Sequence, residues 1–343
     1  MKAHQLWFTE PGTVTIQEVE LPALKSDEVF VRTWYSAISA GTEMLVYRHQ
    51  IPATMTLDDS LPSLENQNSY PLQYGYAAVG RVEGVGSGVD PDWQNKLVFA
   101  FQPHASHFIT TPDQVFPLPE EMDPLAAVFL ANMETAVNLV QDAAPGIGER
   151  VIVIGQGVLG LLVSSLLNAF PLAGLYALET LEERRHLAQR LAVDKALHPG
   201  FEIELNTLKQ ALHMHQPKDG ADLVFELSGN PDALNLAIEF TSFSGRIVVG
   251  SWYGDKNTPL NLGGRFHRNR MQLISSQVST LAPHLTGRWE KSRRLQVAWD
   301  MICRTHPEQF ITHRIPFSSA ADAYQLLDQT PEDVLQAVFV YDS

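Results

Sequence analysis

The run Gly155-Gln156-Gly157-Val158-Leu159-Gly160 follows the apolar stretch Val151–Ile154 directly and leads into a second apolar stretch. A strand that enters such a turn and leaves it as a helix is built to hold a pyrophosphate. The first glycine permits the tight turn, the second lets the backbone approach the phosphates, and the third lets helix and strand pack closely. The N–H groups at the helix start, near Val158 and Leu159, then face the anion, and the helix dipole favours it. The motif calls for an acidic residue about 20 positions further on. Glu179, which closes the run GLYALE, meets that requirement. Its carboxylate suits the ribose hydroxyls of NAD and opposes a 2′-phosphate, while Arg184 and Arg185 just behind it keep NADP open. Ser228, Gly250 and Ser251 follow later apolar runs, at strand ends of the kind where open α/β sheets bind ligands.

Other residues suggest proton transfer or recognition. His104 and His107 in FQPHASHF invite a metal reading. In an extended segment, residues three apart point to opposite faces, so a shared ion is not expected. A proton shuttle by one of them is, because histidine titrates near neutral pH. Trp252 and Tyr253 would wall a ligand at the end of the fifth strand. Arg265, His267, Arg268 and Arg270 form a basic cluster. It reads either as a solvated turn or as a site for a carboxylate- or phosphate-bearing substrate. His213 and His215 read as solvated.

The elements that must position these residues fall into two patterns. Residues 14–19, 29–39 and 77–86 are rich in Val, Ile and aromatic residues and are punctuated by Gly and Pro, which predicts an irregular β-barrel. Asp123-Pro124 marks a helix start. From Gly148 strands and helices alternate, which predicts a parallel, doubly wound sheet. Helices near 290–303 and 318–329 and a last strand LQAVFVY complete the chain. Residues 49–71 hold no periodicity, and a connection longer than about 12–15 residues is either functional or an insertion. A lid or substrate loop is the expectation there.

Composition sets the outer limits. The 343 residues carry 24 Lys+Arg against 39 Asp+Glu, a formal charge of −15. Such a chain repels nucleic acid and anionic membranes. Cys303 is the only cysteine, so neither a disulfide framework nor a thiolate zinc cluster can form within the chain. Without an apolar N-terminal run or a span of about 20 apolar residues, a soluble cytoplasmic protein acting on a small molecule is expected.

From end to end, these parts resemble the medium-chain dehydrogenase/reductase superfamily. The segments that carry the likeness are YPLQYGYAAVGRVEGVGSGV, PGIGERVIVIGQGVLGLL, GADLVFELSGNPDALNLAIEF and SGRIVVGSW. The resemblance implies an α/β fold in which a doubly wound parallel Rossmann sheet joins a GroES-like β-barrel catalytic domain. Expected boundaries are 1–123 and 288–343 for the catalytic domain and 124–287 for the dinucleotide domain. It also implies an oxidoreductase and, through RMQLISSQVS, a homodimer. By this resemblance, zinc members carry ligands at the positions of Ala40, Tyr76 and Ala131, so the resemblance is to a zinc-less branch, with NAD but no metal. Thr42 then matches a Ser/Thr proton-relay position, and Tyr76 replaces a histidine whose phenol would face the substrate. Glu43 matches a supporting acid with a structural role. SAISAGTEMLVYR and YGYAAVGRV are similar to the bacteriochlorophyllide dehydrogenase group, but the 49–71 loop differs, so that group's pigment substrate is not carried over. Hydride exchange with an alcohol or carbonyl is the main expectation. An NADPH-dependent quinone or enoyl reductase, or an inactive NAD(P)H-binding sensor, remains open.

Overall fold

The computed structural model describes residues 1–52 and 69–342. Most of the 49–71 segment, with its expected lid, therefore lies outside the described residues. The chain divides into two units, Met1–Ala131 with Ile302–Ser343, and Asn132–Met301. The divisions fall later than the expected 123/124 and 287/288. Each lies inside a continuous helix, Leu130–Ala143 or Lys291–Thr305, where no change of composition marks it. Among the described residues no helix is long and apolar enough to cross a membrane.

The second unit is built on a six-stranded sheet. In spatial order its strands are Lys195–Leu197, Gly174–Leu178, Arg150–Ile154, Ala221–Glu226, Thr241–Val249 and Gln272–Ser275, all parallel. Taken in chain order this is the 3-2-1-4-5-6 arrangement of a doubly wound nucleotide fold. The inner strands are almost entirely buried and mostly apolar, with the charged residues Arg150, Asp222 and Glu226 at or near their ends, as expected of a parallel sheet covered on both faces. Ile154 pairs with Leu178 on one side and Glu226 on the other. That register brings Gly155, Glu179 and Leu227 together at the carboxyl ends of the strands. Gln272–Ser275 closes the sheet as an edge strand, with Leu273 exposed.

The first unit is mostly antiparallel. A seven-stranded sheet runs Ile311–Pro316, Gln336–Val340, Val29–Ala37, Ala78–Val85, Leu97–Ala100 and Val115–Pro117, with His107–Thr110 also paired to Val29–Ala37. Lys2–Glu10 and Thr13–Glu20 form a separate hairpin. The Asp123 side chain caps the short helix Pro124–Ala127 by accepting from Leu125 N–H at 2.9 Å. Among the elements the sequence reading did not foresee, one bears on the site. Residues 40–47, which continue a strand-like stretch, form a helix, Ala40–Tyr47.

One buried ion pair holds the second unit's helices in place. Arg294, fully buried on helix Lys291–Thr305, donates to Glu134 Oε1 through Nε at 3.1 Å and Nη2 at 2.8 Å. Its Nη1 reaches Asn138 Oδ1 at 2.6 Å, one turn along from Glu134. Burial raises the Glu134 carboxyl above the usual carboxylate range, and the guanidinium opposes that rise. Removing the arginine leaves a buried charge without its partner. Arg294→Met is expected to cost about 3–5 kcal/mol at neutral pH, read by chemical denaturation. The folded-state pKa of Glu134 is raised, and without Arg294 it rises further. The folded variant therefore binds more protons than the unfolded chain, and its stability falls as pH climbs through that window. The deficit should accordingly shrink as pH is lowered through the carboxylate range. A deficit independent of pH would contradict this account.

Candidate functional site

In the second unit the glycine turn has the geometry that phosphate binding demands. Gly155 has φ +89°, and a methyl group on it would stand 2.7 Å from the Leu227 carbonyl oxygen. A methyl on Gly160 would stand 2.0 Å from the Gly155 carbonyl oxygen, so helix Val158–Leu167 could not pack where it does. Gly157 differs: a methyl there would meet only Arg184 Nη1, at 3.9 Å. Open space beside a helix N-terminus that lacks a side-chain cap is where an anion fits. Glu179 is buried beside the turn. Its Oε2 accepts from Gln156 N–H at 2.6 Å, and its Oε1 from Leu181 N–H at 2.9 Å and Thr180 Oγ1 at 3.1 Å. Arg184 Nη1 is the nearest atom to the space beside Gly157; burial lowers the Arg184 pKa and the charge of the Glu179 carboxylate opposes that. Arg185 instead ties the backbone, donating to the Glu179 carbonyl at 3.0 Å and to that of Thr180 at 2.7 Å.

The other residues expected to meet the nucleotide are engaged within the protein. Ser228 donates its N–H to Glu226 Oε1 at 2.8 Å, and its hydroxyl bonds the same oxygen. Ser251 Oγ accepts from Gly229 N–H at 2.9 Å. Gly250 is a glycine because a side chain would strike Leu227 and Leu139, at 2.6 and 2.7 Å, which is packing and not ligand approach. Tyr253 does not present a free phenol. It donates to the buried Glu226, and burial together with that carboxylate raises its pKa above the ordinary tyrosine range. Arg265 is neither solvated nor free for a substrate. It clamps the carbonyls of Pro217 at 2.6 Å, Thr241 at 3.0 Å and Asp219. His267, Arg268 and Arg270 are exposed, as are His213 and His215.

In the first unit the chain brings three hydroxyls together. Tyr76 Oη lies 3.2 Å from Thr42 Oγ1 and is hydrogen-bonded to Ser39 Oγ. All three residues are half-buried, so the cluster keeps an opening to solvent. Thr42 and Tyr76 were singled out from the sequence. Ser39 was not, because a helix of only eight residues carries too little periodicity to mark its own start.

His104 requires a correction. It was expected as a proton shuttle, but its ring is fully buried and both nitrogens are engaged: Nε2 lies 3.0 Å from Glu43 Oε2 and Nδ1 2.6 Å from Ser36 Oγ. It cannot touch a substrate. Glu43, also fully buried, does not orient Thr42. It accepts from Ser39 N–H at 2.7 Å and from the Tyr324 phenol. Burial and Glu43 raise the Tyr324 pKa well above its ordinary value, so this phenol stays a donor. His107 is half-buried, stacked on Phe30, with its pKa lowered by burial.

A zinc ion does not fit the donor set. Zinc takes three or four N, S or O ligands. Ala40 and Ala131 have no side-chain donor and Tyr76 offers only a phenol. Among the described residues no group of three or more His, Cys, Asp or Glu is arranged to hold a metal.

Comparison with known proteins points the same way as the fold. Residues 158–295 match the sequence model of a family described as zinc-binding dehydrogenase. D-guloside 3-dehydrogenase of Escherichia coli is 24% identical over 97% of this chain and 98% of its own length. D-xylulose reductase of Saccharomyces cerevisiae is 22% identical over 96% and 95%. Among solved structures, a chain described as a short chain alcohol dehydrogenase from Escherichia coli, complexed with NADH, superposes with a TM-score of 0.79 at 17% identity, covering 99% of both chains.

The two glycines of the turn separate folding from binding. Gly160→Ala, which drives a methyl into backbone, is expected to destabilise the unit by about 1–3 kcal/mol in urea denaturation. Gly157→Ala should fold like the wild type yet weaken NADH at least about tenfold in a fluorescence titration, because its methyl occupies the phosphate approach. Unchanged NADH affinity in Gly157→Ala would rule out this turn as the phosphate cradle.

Proposed function

We propose that this chain is an NAD(P)-dependent oxidoreductase of the medium-chain dehydrogenase/reductase superfamily, and that it interconverts a secondary alcohol of a sugar or polyol and the matching ketone without zinc, with Tyr76 exchanging the proton. The observation that carries this reading is the cluster Ser39–Tyr76–Thr42, three hydroxyls gathered at one half-buried place. The polyhydroxylated substrates named for D-guloside 3-dehydrogenase and D-xylulose reductase support the substrate class.

Bound NAD(H) supplies or removes the hydride; Gly155, Gly157, Gly160 and Glu179 are the residues that would hold it. The rest is the work of this chain's own groups. As negative charge develops on the substrate oxygen, the Tyr76 phenol donates its hydrogen bond and then its proton. The hydroxyls of Ser39 and Thr42 turn to donate to the phenolate that remains, which spreads its charge. Thr42, half-exposed, passes the replacement proton from water. Oxidation runs the same steps in reverse. Glu179 would favour NADH, because a carboxylate at the end of the second strand opposes a 2′-phosphate.

Three measurements test the proposal. Turnover on a panel of polyols and ketoses should survive prolonged chelation, and freshly purified protein should hold no stoichiometric zinc by elemental analysis. Tyr76→Phe, which keeps shape and deletes the hydroxyl, should lower kcat by about 100–1,000-fold with NADH affinity unchanged. Thr42→Val should fall in the same direction. Near-native turnover in Tyr76→Phe would remove the phenol from the mechanism. In parallel titrations NADH should bind more tightly than NADPH, and Glu179→Gln should narrow the gap. Tighter binding of NADPH by the wild type would overturn the assignment of Glu179.

A further inference from the structure

Ser39 stands where a helix cap is expected, and its side chain does not cap. It precedes helix Ala40–Tyr47, and its carbonyl accepts from the N–H of Thr42 at 3.0 Å and of Glu43 at 2.7 Å. A serine there ordinarily turns its hydroxyl back to an N–H of the first turn. This one makes no cap hydrogen bond and meets the Tyr76 phenol instead. The helix start is secured from the other side. Glu43, one turn on, reaches back with Oε1 to the Ser39 N–H at 2.7 Å. Glu43 is one position beyond the third-position glutamate of a capping box, but its carboxylate serves the same backbone N–H, while the serine side chain is turned away.

The Glu43 carboxylate has an unusually complete set of partners. Its Oε2 accepts from Tyr324, and His104 Nε2 lies 3.0 Å from the same atom. His104 continues through Nδ1 to Ser36 Oγ at 2.6 Å, and Ser36 Oγ lies 2.8 Å from the Tyr341 hydroxyl. Gly75, at φ +117°, gives the imidazole its place: a methyl there would stand 2.8 Å from His104 Cδ2. These hydrogen bonds fix the direction in which the carboxylate points. What that direction determines is the conformation of Ser39.

We infer that Ser39 is a catalytic residue, directing the Tyr76 hydroxyl and stabilising its phenolate, and that Glu43 is a positioning residue that fixes the Ser39 backbone through its N–H. The inference rests on Tyr76 as the proton donor, but it can be read without a substrate.

The test combines urea denaturation with tyrosinate difference absorbance, using Tyr76→Phe to assign the Tyr76 ionisation step. Ser39→Ala should raise that step by about one to two pH units, the effect of one hydrogen bond lost to a charged group. Its denaturation midpoint should match the wild type, since no cap bond is lost. Ser39→Thr, which restores the hydroxyl, should bring the step back. Glu43→Ala removes the hold on the Ser39 N–H, so the Ser39 hydroxyl is no longer fixed toward the phenol, and should raise the Tyr76 step as well. Should that variant not fold, Glu43→Asp, which keeps the charge but shortens the reach, carries the same expectation. An unmoved Tyr76 step in Ser39→Ala, or a stability loss of the size a missing helix cap brings, would overturn the role of Ser39. An unmoved step in a folded Glu43 variant would overturn the role of Glu43. So would the lack, below alkaline unfolding, of any step that Tyr76→Phe removes. If these spectroscopic shifts occur and the polyol panel shows no turnover, the proposed reaction fails while this assignment stands.

Discussion

A carboxylate sealed away from water with no arginine or lysine hydrogen-bonded to it must have its oxygens satisfied by hydrogen bonds. Glu43 is in that position, and much of the first unit's functional geometry follows from how the demand is met. One oxygen is bonded to the chain at the start of a short helix, the other to a phenol and an imidazole. The donors come from distant parts of the chain. Tyr324 lies on the helix Ala320–Gln329, and His104 precedes the strand His107–Thr110. Satisfying this one group therefore holds the C-terminal return of the chain against the helix that carries Ser39 and Thr42. The half-buried hydroxyl cluster is the part of this arrangement that still meets solvent.

The second unit is organised by backbone register. Parallel pairing sets Ile154, Leu178 and Glu226 level with one another, so whatever follows each strand emerges at one edge. Gly155 follows the first and Glu179 the second. Their contact, through Gln156 N–H, is a consequence of that level. Glu226 ends the third strand, and the loops beyond it fold back onto its carboxylate through Ser228 and Tyr253. Buried acids thus organise both units, but they do different things: Glu179 borders the open space by Gly157, whereas Glu226 is closed over by its own loops.

Features that looked available for ligands proved to be needed by the protein itself. The Arg265 guanidinium binds the backbone carbonyls of Pro217, Asp219 and Thr241. Gly250 accommodates two leucines, and Ser251 satisfies a loop N–H. A guanidinium or a hydroxyl can bind a substrate or a carbonyl with the same chemistry, so residue type alone does not separate the two uses.

The sequence by itself determined the alternation that makes the parallel sheet, the glycine turn, its acid, and the lack of zinc donors at Ala40 and Ala131. Each is a local matter: steric demands within a turn, the period of a strand or helix, the chemistry of a side chain. Thr42 and Tyr76 were singled out by resemblance alone, and the fold sets their hydroxyls 3.2 Å apart. Only the tertiary structure decided that His104 is sealed from substrate and that Glu43 serves Ser39. It likewise decided that Tyr324 and Tyr341 belong to the same network, across sequence separations of 281 and 305 residues. No periodicity reaches across such a gap. Which donors meet a buried carboxylate is set by how strands and helices far apart in the chain pack, and that packing is driven by apolar burial that carries no mark at the polar positions it brings together.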